Sequence, residues 1–260
     1  FATNSAPIDV DALDERSRRL LRMFLGSMFT DAASDTLQEA WTRLRAHPQV
    51  CAELAELLAE LDARVDHIQP MLSTSAHVPL HVHARYTRIE IQAALNDGGR
   101  LRPSRWDSGV KWLPNEKTDV FAFTLDKTSG DFSPTTRYRD YAISPDLIHW
   151  ESQSRTTVAS ETGQRYVGHV EQGATVVLFA RLRADERAFW CLGPATYVRH
   201  EGDRPIAITW RLQHRLPAEV RSSGFAELDR VAWDVRPVGD GDARFDARDS
   251  LRDVAEVGRA

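Results

Sequence analysis

The sequence predicts an α+β protein: an N-terminal helical bundle followed by a curled β-sheet or partly open β-barrel. Three observations carry that expectation. Apolar residues recur at three- and four-residue intervals from Val10 to about Gln69. Further along, the period shortens to brief β-rich runs separated by Gly, Pro and Asp turns. Hydrophobic residues make up 42% of the 260-residue chain, enough for a sizeable core.

The first stretch divides into three amphipathic helices. Val10, Leu13, Leu20, Leu21, Phe24, Leu25 and Met28 mark one, and Leu37, Ala40, Trp41 and Leu44 a second. Val50, Leu54, Leu57, Leu58, Leu61, Val65 and Ile68 mark the third. Ser34 or Asp35 can cap the second helix, Pro48 suits the first turn of the third, and Pro70 stops it. Residues 1–72 are therefore expected to form a bundle that connects to a neighbouring domain. After a linker from Met71 to Val78, Thr87 with Glu90 three positions later makes a capping box for a short helix to about Leu95. The strand-like runs are Val120–Leu125, Tyr138–Ile143, Ile148–Glu151, Thr175–Leu182, Phe189–Leu192, Ala195–His200 and Ile206–Leu212. They assign residues 73–220 to a β domain. Residues 221–260, with Gly239-Asp240-Gly241-Asp242 and mixed charge, are expected to be a partly mobile tail.

Several function classes are excluded. No apolar run reaches the roughly 20 residues a membrane-spanning helix needs, and Phe1 to Pro7 lack the regions of a signal peptide, so a cytoplasmic location without a membrane partner is expected. A start at Phe1 reads as a piece of a longer polypeptide. Cys51 and Cys191 fit neither a disulfide framework nor a zinc spacing and should be buried and inert. His77, His81 and His83 lie close together, with His81 and His83 on one face if extended, yet no Cys or carboxylate stands at ligand spacing. No metal site is expected. There is no nucleophile elbow and no phosphate-binding glycine loop, so neither catalytic residues nor a cofactor are expected in this chain. The net charge of -5 counts against a broad electrostatic grip on nucleic acid. The acids, however, crowd the first 70 and last 40 residues, leaving a basic middle.

The densest chemistry lies from Tyr138 to Ser154. In a strand, Tyr138, Asp140 and Ala142 share one face and Arg139, Tyr141 and Ile143 the other, while the next strand pairs Trp150 with Ser152. Aromatic walls, a carboxylate and small polar groups suit an extruded base, stacked on its face and hydrogen-bonded at its edge. The candidate base pocket is Tyr138, Asp140, Tyr141, Trp150, Ser152, Gln153 and Ser154, with Asp140 accepting from a cytosine N4 amine. Arg88, Arg102, Arg105, Lys111, Lys127, His149, Arg155 and Arg165 are candidate backbone or groove contacts. Two polar loops present several of these residues, one from Arg100 to Trp112 and one from Arg155 to Tyr166.

Tyr86-Thr87-Arg88, Phe123-Thr124-Leu125-Asp126-Lys127, Tyr138-Arg139-Asp140-Tyr141-Ala142-Ile143-Ser144, His149-Trp150-Glu151-Ser152-Gln153-Ser154, Gly163-Gln164-Arg165-Tyr166, Leu178-Phe179-Ala180-Arg181 and Leu192-Gly193-Pro194-Ala195 occur in order. Together they resemble the C-terminal domain of certain DEAD/DEAH-type helicases, as in SauUSI-like type IV restriction enzymes. The resemblance runs from about Val78 to Pro217. It implies a fold like the SRA and PUA group of base-reading barrels and recognition of double-stranded DNA carrying 5-methylcytosine. It also implies a phospholipase-D-like nuclease and a helicase motor in the same polypeptide, which would use the ATP and Mg. Glu151 stands where the family pattern has Gln, and its added charge is expected to point away from DNA.

Two other readings follow from the same residues. The chain can be a protein-interaction or dimerisation module acting through its helices, which the acidic net charge favours. Alternatively, the pocket can read hydroxymethylcytosine, methyladenine or a phosphorothioate backbone.

Overall fold

The leading helices begin where their caps dictate. In the computed structural model, which describes residues 8–29, 36–65, 70–72, 76–95, 101, 105–125, 140–216 and 220, they are α1 (Glu15–Met28), α2 (Leu37–Arg45) and α3 (Pro48–Ala63). Asp14 accepts from the Ser17 amide, Thr36 and Glu39 form a reciprocal capping box, and Pro48 occupies the first turn of α3. The cap of α2 is thus Thr36, and Ser34 and Asp35 lie outside the described residues. α3 ends at Ala63, well before Pro70.

α1 belongs to two cores. Leu21 and Leu25 pack with Val10, Leu37, Trp41 and Leu44, whereas Met23 packs with Leu80, Ile91 and Leu95. Arg19, buried on α1, donates to the Ala94 carbonyl at 3.1 Å and to Glu116 at 2.6 Å, while its Nε meets Glu15 at 2.9 Å. It thereby fastens α1 to the end of α4 (Arg88–Ala94), whose Thr87–Glu90 capping box is formed. The helical and β segments share packing across the boundary expected near residue 72.

Eight strands form one open sheet: β1 (Arg85–Thr87), β2 (Val110–Leu113), β3 (Thr118–Thr124), β4 (Tyr141–Ser144), β5 (Leu147–Glu151), β6 (Thr175–Arg181), β7 (Ala188–Glu201) and β8 (Ala207–Leu212). Their order is β2-β3-β6-β7-β8-β5-β4, with β1 added beside β7. β3 and β6 run parallel, and the other pairs are antiparallel. The fold is therefore α+β with a sheet that does not close into a barrel.

The central strands are apolar on both sides. In β3, Val120 and Ala122 face one way and Phe121 and Phe123 the other; in β6, Val177 and Phe179 oppose Val176, Leu178 and Ala180. The first side meets α4 and α1. The second closes over Trp150, Tyr166, Leu192, Ile208 and Trp210. All seven residues of β3 are buried, as a parallel strand covered on both faces requires. Phe121 stands at the centre of the second core, its ring 4.4 Å from Trp150, 5.1 Å from Tyr166 and 5.4 Å from Trp210.

β7 runs 14 residues, joining the two strands expected over Phe189–Leu192 and Ala195–His200. Its register shifts opposite Leu178 and Phe179. Gly193 lies at that bulge with φ 89°, and a Cβ there would meet Val82 at 3.3 Å and His214 at 3.4 Å. The glycine bends the strand where a side chain has neither the backbone conformation nor the space.

Replacing Phe121 by alanine should cost about 3–5 kcal/mol, because three aromatic neighbours lose one common partner. Urea unfolding followed by tryptophan fluorescence will register this as a lower midpoint with an unchanged slope.

Candidate functional site

The segment singled out in the sequence is divided by the sheet into an inward and an outward set. Tyr138 and Arg139 lie outside the described residues. From Asp140 onward the chain forms the β4–β5 hairpin around Ser144-Pro145-Asp146, with the Ser144 hydroxyl donating to Asp146 at 2.7 Å. Ala142, Ile148 and Trp150 point into the second core.

Three expected pocket residues are used internally. Trp150 is 3% exposed and packs on Phe121 and Tyr166. Asp140 is buried and accepts from the Glu151 amide at 3.0 Å, clamping the hairpin. Ser152 is 0% exposed; its hydroxyl accepts from the Ile206 amide at 2.9 Å and donates to the Gln153 carbonyl at 3.2 Å. Asp140, Trp150 and Ser152, expected in the base pocket, are thus buried in this structure. Their polar atoms satisfy backbone groups, and the indole fills the core.

The outward set forms a strip. Tyr141 and His149 stack with ring centroids 4.6 Å apart and 19° between planes. Register places Tyr141 opposite His149, His149 opposite Thr209, and Thr209 opposite Arg199. Beside that row, Leu147 stands opposite Arg211 and Arg211 opposite Thr196. Arg199, Arg211 and Thr196 are exposed, Tyr141 and His149 are half-buried, and Thr209 and Leu147 are buried. The strip lies on the sheet side that α4 and α1 cover farther along. Gln153, Ser154 and Arg155 are exposed immediately after β5. Glu151 shares this face rather than pointing away from it, with its carboxylate 3.9 Å from His149 Nε2.

Of the expected cationic contacts, several serve the fold. Arg88 donates to the Trp106 carbonyl at 3.0 Å and lies 5.2 Å from the Trp106 ring and 5.5 Å from Phe189; burial holds its pKa below the usual value. Lys111, on β2 rather than in a loop, bonds Gln92. Arg105 is exposed and pairs with Asp107. Arg102 and Lys127 lie outside the described residues.

Arg165 lies on α5 (Glu161–Val167), which replaces the expected loop. Ser160 caps this helix by accepting from the Gly163 amide at 3.1 Å. A Cβ on Gly163 would overlap the Thr157 carbonyl, so glycine lets the preceding turn approach the helix. Arg165 grips the buried Asp119 through Nε at 2.6 Å and Nη2 at 3.2 Å, with its guanidinium 4.3 Å from the Trp112 ring centroid. A shallow cleft of about 270 Å³ opens between Trp112, Lys117, Glu161 and Arg165. Burial pushes the Asp119 carboxyl above its ordinary value, against the pull of Arg165 and His169. Arg88, Lys111 and Arg165, expected as DNA backbone or groove contacts, are half-buried and each bonds within the fold.

Sequence reading overlooked Thr209, Arg199, Arg211 and Asp119. The polar alternation of β8, Ile208-Thr209-Trp210-Arg211-Leu212, was the available signal for two of them. His81 bridges Met71, and His83 adopts φ 68°, so the two do not share a strand face. Both cysteines are buried, and burial pushes the Cys191 thiol up to about 12. Among the described residues no helix is long and apolar enough to cross a membrane.

Arg165→Ala leaves the Asp119 carboxyl buried without its partner, and the expected loss at neutral pH is about 3–5 kcal/mol. Asp119 has a raised folded pKa, so its charge-burial penalty is absent below the unfolded value of 3.8 and grows as pH rises. Denaturation curves should show the deficit of the variant narrowing toward acid pH. A pH-independent deficit would contradict this account.

A family model described as a domain of unknown function (DUF3427) matches residues 80–222. None of the curated proteins matches the chain. Among solved structures, a crystal structure of Arabidopsis thaliana SUVH6 in complex with SAM is similar at 10% identity and a TM-score of 0.38, covering 89% of this chain and 48% of that one. The chain spans about half the length of that structure. With more than half of its residues matched, across α4, all the strands and the Tyr141–His149 strip they carry, the chain belongs to the DUF3427 family.

Proposed function

We propose that this chain is a DNA-recognition domain that contacts duplex DNA through the outward strip of β4, β5, β8 and β7. The observation that carries the proposal is the half-buried Tyr141–His149 stack, flanked on the same sheet face by the exposed guanidinium groups of Arg199 and Arg211. Such a strip offers a π-face to a base and guanidinium groups to the flanking phosphates. It also reconciles DNA binding with a net charge of -5, because cations are needed only on one face.

The resemblance to the C-terminal domain of SauUSI-like enzymes supports the finer reading. On it, the domain serves a type IV, modification-dependent restriction protein and binds 5-methylcytosine by base flipping. Helicase and nuclease domains of the same polypeptide would supply the ATP- and Mg-dependent steps. Flipping costs a few kcal/mol. Stacking on Tyr141 and His149 returns about 1–3 kcal/mol per base, so preference for the methylated base must come from edge contacts. Gln153 and Ser154 are exposed next along the chain and have the amide and hydroxyl for that task.

Fluorescence anisotropy with duplexes carrying 5-methylcytosine, hydroxymethylcytosine, methyladenine, a phosphorothioate or no modification tests both levels. The 5-methylcytosine duplex should bind tightest, and Tyr141→Ala or His149→Ala should weaken it about fivefold to 150-fold. Arg211→Ala should weaken every duplex alike and reduce the salt slope by about 1. Equal affinity across the panel removes modification reading, and failure to bind any duplex removes the proposal altogether.

A further inference from the structure

The outer half of α3 is built for a contact that the described fold does not make. Helices of this length are marginal in water unless an apolar face is covered. In the first two turns Cys51 and Leu54 pack toward Leu44 and Trp41, while Val50 is 41% exposed. Beyond them every residue from Glu56 to Val65 is exposed, including Leu57 at 53%, Leu58 at 44%, Leu61 at 51% and Val65 at 53%. With Val50 and Leu54, these side chains fall in one stripe about 100° wide, at the alternating four- and three-residue spacing of a helix–helix seam.

The charges bordering the stripe specify its occupant. α3 carries Glu53, Glu56, Glu60 and Asp62 and no Lys or Arg. The next residue, Arg64, is already engaged with Glu60, its Nε 2.8 Å away. At 100° per residue Glu53, Glu60 and the Glu60-paired Arg64 border one side of the stripe and Asp62 the other. A second copy packed antiparallel would set Glu53 and Glu60 against their own counterparts, and a parallel copy would bring the Glu60 side to the Asp62 side. Either arrangement opposes like charges along the seam.

We propose that the outer half of α3 is a docking surface for a partner helix of complementary chemistry: leucine-like residues at seam spacing, flanked by Lys or Arg. The surface is separate from the Tyr141–His149 strip, and the inference stands independently of DNA binding.

The full chain is titrated with two synthetic helical peptides that share one leucine seam, one with Lys and the other with Glu at the flanking positions. The Lys peptide should bind about tenfold more tightly at low salt, and added salt should shrink that advantage. The double variant Leu57→Ser, Leu61→Ser should lose the Lys peptide while melting at an unchanged temperature, since both side chains are solvent-exposed. Equal binding of the two peptides, binding of neither, or retention of the Lys peptide by the variant each overturns the proposal. So does a dimer in sedimentation velocity that the same double variant dissolves, because the occupant is then a second copy.

Discussion

The parallel pairing of β3 with β6 governs the arrangement of everything around it. A parallel pair cannot be joined by a hairpin, so the chain leaving Thr124 must travel back before it pairs with β3 at Thr175. That return path carries the β4–β5 hairpin and α5. The hairpin is delivered to the far side of β8, at the edge of the sheet order. α5 is delivered to β3, where Arg165 meets Asp119 and Tyr166 meets Phe121. One pairing thus separates the half-buried Tyr141–His149 stack from Arg165 and its buried partner Asp119.

The buried polar groups along this path act as fasteners. Asp119 sits on a strand covered on both sides, and a carboxylate there is tolerable only because a guanidinium reaches it in bidentate geometry. Ser152 exchanges hydrogen bonds with both the amide and the carbonyl of Ile206, fixing the end of β5 to the start of β8. Asp140 holds the hairpin ends through the Glu151 amide. A polar residue among aromatics therefore has two explanations, a ligand or a backbone partner, and here burial selects the second.

Local physics was legible in the sequence, whereas topology was not. The Thr87–Glu90 capping box, Pro48 in the first turn of α3 and the runs that became β3, β6 and β8 depend on neighbours a few residues away. α5 was hidden because Thr157, Ser160 and Gly163 resemble a loop until the Ser160 cap is recognised. Gly193-Pro194 read as a break between two strands because a bulge and a turn share the same residues. At the candidate site, alternation correctly divided the faces of β4 but could not say which face would be covered. Trp150 and Ser152 went inside because β8 and β3 arrived there. Asp119 and Arg165 are 46 positions apart, beyond the reach of any spacing rule.

The fourteen-residue β7, with hairpin neighbours before and after it in sequence, has a consequence for how the chain folds. β6, β7 and β8 form an antiparallel meander of short-range contacts, whose closure entropy is small. β3 can add to β6 only after the crossover has been organised, and long-range parallel pairing is intrinsically slow. The meander should therefore assemble first, with Leu178, Leu192 and Trp210 awaiting the ring of Phe121. During that interval an apolar sheet face and the unpaired edge of β6 are open together, which makes the arrival of β3 the step that ends the chain's exposure to aggregation.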